Sequence, residues 1–594
     1  MWNWIRALFL DERIALLREL NNGAFEENCG GYNHYADDTL WDQLAVARYI
    51  REGVLTEEEA YAPLGLDRDL LRAISQLSSS GLHEQVEPPE WVEELSLWKD
   101  LGAGKETPLA PKVAFSNLAG PVWGLFEWEL SGFWSDFHGN FLNQIPIKPT
   151  SMEPLVKSLA SSLPTGELNS AVMPSVVEFV QTRGYLKENS SEGARVFDFS
   201  EADRDLFVET YPVVYRQLYV ALDKWRNYVS EILEALSRDL GDLDRETFFD
   251  LKGGLSEIEI QLSKGDTHEY GKSVAQVTVN GNKVFFKPYP PYGKRCLEVA
   301  SEILGEVLDN VKRVPYLDRG TYFWEKAIQQ NLSQDCLGST AKALGSFSAL
   351  TSVLGGNDFH HENVFFSDGG IVPVDLETIL HPSVAKTDEY EDPNLEIRDY
   401  FQSSIATKGI LPFTMVSQGD RLKDQHGVDI SVLGLPPEQA AAVTIPYVSS
   451  GANGDLQLKF ERPLMTDDSG VTGRHELLQY GEDFLDGYAA TFKNILEKRQ
   501  DLLDAFEALP DLAMRYVARP TMLYNKVLLE SFHPQFTKDS MDRLACLYKL
   551  GTGFIGENDR SEKIKAEIRF LEIGDIPRFN SNLHDGVVLS LIHI

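Results

Sequence analysis

Apolar positions in the first part of the chain recur at helical spacing. In LWDQLAVARYIREGVLTEEEAYAPL (40–64), and again in PLGLDRDLLRAISQL, they fall every three or four residues, as a helix with one buried face requires. The Pro, Gly and charge of EQVEPPEWVEELSLWKDLGAGKETPLAPK predict a surface connection. From about 112 to 245 the pattern is mixed: an aromatic run, VWGLFEWELSGFW, precedes a long helical signal in VYRQLYVALDKWRNYVSEILEALSRDL. No repeat of fixed period and no low-complexity tract is present.

The period changes after about 246. EIEIQLS (257–263) alternates as a strand does, and VAQVTVNGNKVFFKP carries two alternating runs across Asn-Gly, a pair that tolerates the positive φ of tight hairpins. The amphipathic segment RCLEVASEILGEVLDNV follows, then a strand around TYFWEKAI and a small-residue helix, GSTAKALGSFSALTSVLG. NVFF and IVPVDL are short strands joined by the turn Ser367-Asp368-Gly369-Gly370. Residues 381 to about 465, rich in Asp, Gly and Pro, read as an irregular stretch holding a long functional loop, and helices resume in YGEDFLDGYAATFKNILEKRQDLLDAFEAL. The chain thus divides into an N-terminal helical region (1–110), a mainly helical accessory region (111–245), a core (246–380), a long loop or insertion (381–470) and a helical C-terminal part (471–594).

Composition narrows the function. Over 594 residues the net charge is −36, a field that repels a phosphate backbone, so no nucleic-acid partner is expected. Cys29, Cys296, Cys336 and Cys546 stand far apart, form no zinc spacing and fit free thiols in a reducing compartment. No membrane span and no signal-peptide core is written in the sequence, and a cytoplasmic location is expected.

The sharpest chemistry lies in Asp358-Phe359-His360-His361-Glu362-Asn363, with Asp375 after the two short strands. Phosphoryl transfer to a hydroxyl needs an Asp to accept the proton, a metal-binding Asn on the same loop, and a second metal-binding Asp after a short hairpin. It also needs a lysine on an early strand ahead of a helix. Lys287 holds that position, with Glu298 or Glu302 on the following helix as its orienting carboxylate. No Walker A sequence is present. Ahead of the hairpin stand Gly265-Asp266-Thr267-His268 and Gly271-Lys272, where glycines could admit phosphate to backbone N–H groups or simply make a polar turn. Asp266 and His268 exceed what nucleotide binding needs and could support acid/base work.

Taken in order, KGDTHEYGK, the hairpin ending VFFKP, YLDRGTYFWEKAI, NDFHHENVFF with PVDLET, RYVARPTMLYNKVLLESFHP and GDIPRF resemble the dehydratase domain of class II lanthipeptide synthetases, the LanM family. The resemblance runs from roughly 110 to 580. It implies an α+β fold with a two-lobed, lipid-kinase-like core elaborated with many helices. It also implies dehydration of Ser and Thr in a ribosomal, leader-bearing precursor peptide, by ATP- and Mg²⁺-dependent phosphorylation and then elimination of phosphate. On that resemblance Lys287 matches the ATP-phosphate lysine and Asp358 the phosphorylation Asp. His360 and Asn363 share its motif, and Asp375 matches the metal-binding Asp. Asp266, His268, Arg515 and Thr521 match the elimination residues. Elimination explains the surplus, since removing an α-proton from a phosphorylated residue calls for a base and for donors to the departing phosphate.

Full-length synthetases of that family continue into a zinc-dependent cyclase domain. No Cys or Cys-His zinc site is written here, so no zinc is expected and ring formation would fall to a separate cyclase partner. The ending NLHDGVVLSLIHI reads as a truncated synthetase or a stand-alone dehydratase. Two other functions fit the same residues: a kinase-like enzyme that stops at phosphorylation, and an inactive peptide-binding scaffold.

Overall fold

The structure is a computed structural model. It describes residues 2–22, 45–65, 68–77, 82–103, 109–183, 199–262, 266–380, 404–412, 414–417, 426–434, 439–440, 445–450, 456–461, 464–465, 471, 473–509, 513–555, 559–582 and 588–589. Most of 381–470, Cys29, Gly265 and most of the C-terminal NLHDGVVLSLIHI lie outside them. The fold mixes many helices with small antiparallel sheets.

In chain order the main elements begin with helices α1 (Glu90–Gly102), α2 (Gly120–Asp136), α3 (Glu153–Ser161), α4 (Thr165–Arg183) and α5 (Pro212–Arg245). Strands β1 (Ile258–Gln261), β2 (Ala275–Val279) and β3 (Asn282–Lys287) follow, then α6 (Tyr292–Leu304), β4 (Tyr316–Asp318), β5 (Phe323–Lys326), α7 (Leu337–Val353), β6 (Val364–Ser367) and β7 (Gly370–Pro373). The chain closes with α8 (Gly481–Glu497), α9 (Arg499–Glu507), β8 (Ala513–Tyr516), α10 (Thr521–Ser531), α11 (Ser540–Leu547), α12 (Arg560–Glu572), β9 (Phe579–Asn582) and β10 (Val588–Leu589). Contacts divide it into two units: Met1–Asn282, Pro446–Phe460 and Arg519–Pro577, and Lys283–Ile445, Glu461–Ala518 and Arg578–Ile594.

In the first unit the expected surface connection is instead α1, which buries Trp91, Val92, Leu95 and Trp98. Its two prolines precede the helix, where a missing N–H costs nothing, and the apolar residues behind them supply a core face. The aromatic run is α2, set against α1 with Trp98 and Phe133 edge to face at 5.0 Å. Helix α5 runs 34 residues and buries a long apolar stripe. Strand β1 pairs antiparallel with β2, Ile260 opposite Val277, and Asn280 at φ 48° with Gly281 turns the chain into β3.

In the second unit β5 lies between β3 and β4, both antiparallel to it. The small residues of α7 admit α8 closely: a Cβ on Gly345 would stand 1.9 Å from the Phe484 carbonyl oxygen. Its core joins Leu297, Leu344, Phe347, Phe359, Phe366, Ile371 and Leu376. Hairpin β6–β7 forms as predicted, Ser367 opposite Gly370. Within 381–470 the described residues include short ribbons, Thr414–Ser417 on His426–Asp429 and Gln439–Ala440 on Leu464–Met465, where an irregular stretch was expected.

Candidate functional site

Lys287 ends β3 with its ammonium buried. Its Nζ donates to the Val374 carbonyl at 2.6 Å and stands 2.8 Å from Glu325 Oε2 on β5. The expected partners Glu298 and Glu302 are thereby corrected. Glu298 Oε2 instead accepts the Tyr316 hydroxyl at 3.0 Å, and the carboxylate at Lys287 is that of Glu325. Lys294, on α6, pairs with the other oxygen of Glu325 and donates to Val374 O at 3.1 Å. Burial works against the Lys287 charge, but Glu325 and Asp375 outweigh it and hold the ammonium above the usual lysine range. Burial, with Lys287 beside it, pushes Lys294 below that range. Glu325 is penalised by burial too, yet the two lysines hold it below the usual carboxylate range. The α6 N-terminus can come this near because Gly293 has no side chain; a Cβ there would stand 2.1 Å from Leu376 O.

The Asp358 loop is pinned by its apolar residue. Phe359 is fully buried against Phe347, ring centroids 5.0 Å apart. Its N–H donates to Lys408 O at 2.9 Å, and His361 N donates to Ile430 O at 3.1 Å. Asp358, left exposed, takes a left-handed φ of 64°. Asn363 Nδ2 donates to Asp358 O at 2.8 Å and lies 3.2 Å from His360 Nε2, which leaves the amide oxygen as the group Asn363 can offer a cation. Asp375 follows β7; its Oδ1 accepts the Glu377 N–H at 3.1 Å. Burial, then the Glu377 charge, raises the Asp375 carboxyl above its ordinary range, so a nearby cation would offset its cost. Among the described residues no group of three or more His, Cys, Asp or Glu is placed to hold a metal. A two-oxygen set of Asn and Asp suits Mg²⁺, which keeps waters and shares its shell with phosphate.

Arg515 joins this unit from 138 residues beyond Glu377 in sequence. It sits on β8, where its N–H donates to Glu377 O at 3.1 Å and its guanidinium pairs with Glu377 Oε1. Burial opposes its charge, but Glu377, Asp375 and Asp358 hold Arg515 above the ordinary range. The other Glu377 oxygen lies 3.0 Å from Arg578 Nη2.

Asp266, His268 and Thr521 belong to the first unit. His268 is buried and Asp266 exposed. Thr521 opens α10. His268 Nδ1 lies 2.8 Å from Ile576 O; a carbonyl only accepts, so Nδ1 carries the proton and Nε2 is the basic nitrogen of the neutral ring. Ile576 N donates to Thr267 O at 3.0 Å, and Asp575 Oδ2 accepts the Gly271 N–H at 2.8 Å. The GDTHEYGK and GDIPRF motifs therefore clasp each other, and the Gly271 N–H serves the clasp. Asp575 Oδ1 is 2.9 Å from Lys224 Nζ.

Residues unnoticed in the sequence are Glu325, Lys294, Glu377, Lys408 and Arg578. Glu325 had a signal: a lone acid inside the apolar strand FWEK. Cys296, Cys336 and Cys546 are free, with burial pushing the Cys296 thiol up to about 12 and Cys546 up to about 11. Among the described residues no helix is long and apolar enough to cross a membrane.

Residues 211–582 match the family described as Domain of unknown function (DUF4135). The match covers well over half of the chain, and the chain belongs to that family. No curated protein matches it.

Proposed function

We propose that the chain is a lanthipeptide dehydratase of the LanM type, with a kinase-like core. It phosphorylates Ser and Thr of a leader-bearing precursor peptide and then eliminates the phosphate to leave dehydroalanine or dehydrobutyrine. The DUF4135 match covers most of the segment that carries the LanM resemblance. Bound ATP with Mg²⁺ would supply the phosphoryl group. Asp358 would orient the hydroxyl and take its proton, Asn363 and Asp375 would hold the cation by oxygen, and Lys287 would meet phosphate oxygens. By the resemblance, Asp266, His268, Arg515 and Thr521 serve elimination. His268 suits that work because its tautomer gives Nε2 the lone pair a base needs. The observation that carries the proposal is Arg515, brought by Glu377 to the neighbourhood of Asp375, where phosphorylation alone asks for no further cation.

The test is intact-mass spectrometry of the precursor peptide encoded beside this chain's gene, incubated with the protein, ATP and Mg²⁺. One water lost per modified residue is expected, with cysteines still open to alkylation. Phosphopeptide as the end product would replace the proposal with the kinase reading. Peptide binding without ATP turnover would replace it with the scaffold.

A further inference from the structure

We infer that Arg578, the arginine of GDIPRF, is a positioning residue for elimination that acts on Arg515 through Glu377. This rests on the dehydratase reading. The Glu377 carboxylate is divided: Oε1 pairs with Arg515 Nη1 and Oε2 lies 3.0 Å from Arg578 Nη2. An arginine alone with a carboxylate can take both oxygens with its planar fork and spend its charge there. With Arg578 3.0 Å from Oε2, Arg515 pairs with the other oxygen of Glu377, and two guanidiniums share that carboxylate. The shared carboxylate stands two residues along the chain from Asp375, whose charge, with that of Asp358, also acts on Arg515.

Arg578 is itself fixed. It is buried, and its guanidinium lies 4.5 Å from the Tyr289 ring centroid. Strand register does the rest: β8 and β9 pair antiparallel with Arg515 opposite Asn580 and Tyr516 opposite Phe579, so Arg515 on β8 and Arg578, just ahead of β9, both reach Glu377. Glu377 is thereby committed to arginine, and its place beside the metal-binding Asp375 does not make it a second metal carboxylate. A guanidinium meant for a departing phosphate works only if its donors already point at the developing charge.

The experiment is a time course of the same precursor with ATP and Mg²⁺, by mass spectrometry, for wild type, Arg578→Met and Arg578→Lys. Arg578→Met should phosphorylate within a few-fold of wild type but eliminate up to about 10²-fold more slowly, the loss a misplaced group can bring. Phosphopeptide then accumulates. Arg578→Lys should partition between the two, because an ammonium can hold Oε2 but lacks the planar face for Tyr289. A purely structural role would slow both half-reactions together and leave the partition unchanged, and that result overturns the inference. So does wild-type partition in Arg578→Met, or in Arg578→Lys should the methionine variant not fold. If wild type itself makes no dehydrated product, the dehydratase reading has failed, and the inference with it.

Discussion

Asp358 sits at φ 64°, a backbone region that most side chains avoid and that Asp and Asn tolerate. Its side chain is 53% exposed, so the fold does not depend on its charge. Asp358→Asn therefore keeps the loop and removes only the carboxylate. Phosphorylation of the precursor should fall at least about 10²-fold, the lower end of what a positioned base contributes. Unfolding stability should stay within about 0.5 kcal/mol, as for other exposed substitutions. Asp358→Ala would add about 1 kcal/mol of left-handed strain. Thermal unfolding beside phosphopeptide mass analysis separates the two effects. A wild-type rate from Asp358→Asn would remove this residue from the chemistry.

Elements were legible where the determinants are local. Alternation gave β1 to β3, Asn280-Gly281 gave the turn, and Ser367 to Gly370 gave β6–β7, because each depends on residues a few places apart. Partners set by register were not legible. In the β3–β5 pair Lys287 lies opposite Phe323, which puts Glu325 at the diagonal position on the same face. No spacing along the chain announces that, and a helix glutamate five or nine residues past Gly293 is the more obvious choice. The same holds for Arg515 and Arg578, whose shared partner Glu377 lies far from both in sequence. In the N-terminal stretch, Pro and Glu around 84–90 outvoted the Trp, Val and Leu behind them, and burial decided for helix. The approach of α6 to the Asp375 segment gives a test at this scale. Gly293→Ala forces a Cβ to within 2.1 Å of Leu376 O, so the helix end and Lys294 must move. Overpacking of this kind costs about 1–3 kcal/mol. Lower thermal stability together with weaker phosphorylation is expected; an unchanged melting curve would show that the α6 N-terminus yields without cost.

At the scale of the whole molecule, the charge of −36 means that many carboxylates ionise together as pH rises, so a pH effect has to be assigned by difference. Glu572 allows it. It ends α12 in the first unit, accepts the Leu10 N–H at 3.3 Å, and burial raises it from the ordinary 4.5 to about 7. The folded chain therefore keeps a proton that the unfolded chain gives up between those values. Stability from this group is complete below about pH 4.5 and is lost as pH rises through 7. At about 1.4 kcal/mol per unit the loss is about 3 kcal/mol. Glu572→Gln keeps an acceptor for Leu10 and cannot ionise. The variant should match wild type in Tm near pH 5 and exceed it near pH 8, while the slope from the remaining carboxylates stays common to both. Parallel curves from pH 5 to 8 would mean that Glu572 titrates as an ordinary carboxylate, and that Arg543, whose guanidinium donates to the Glu572 and Leu571 carbonyls, compensates the buried charge after all.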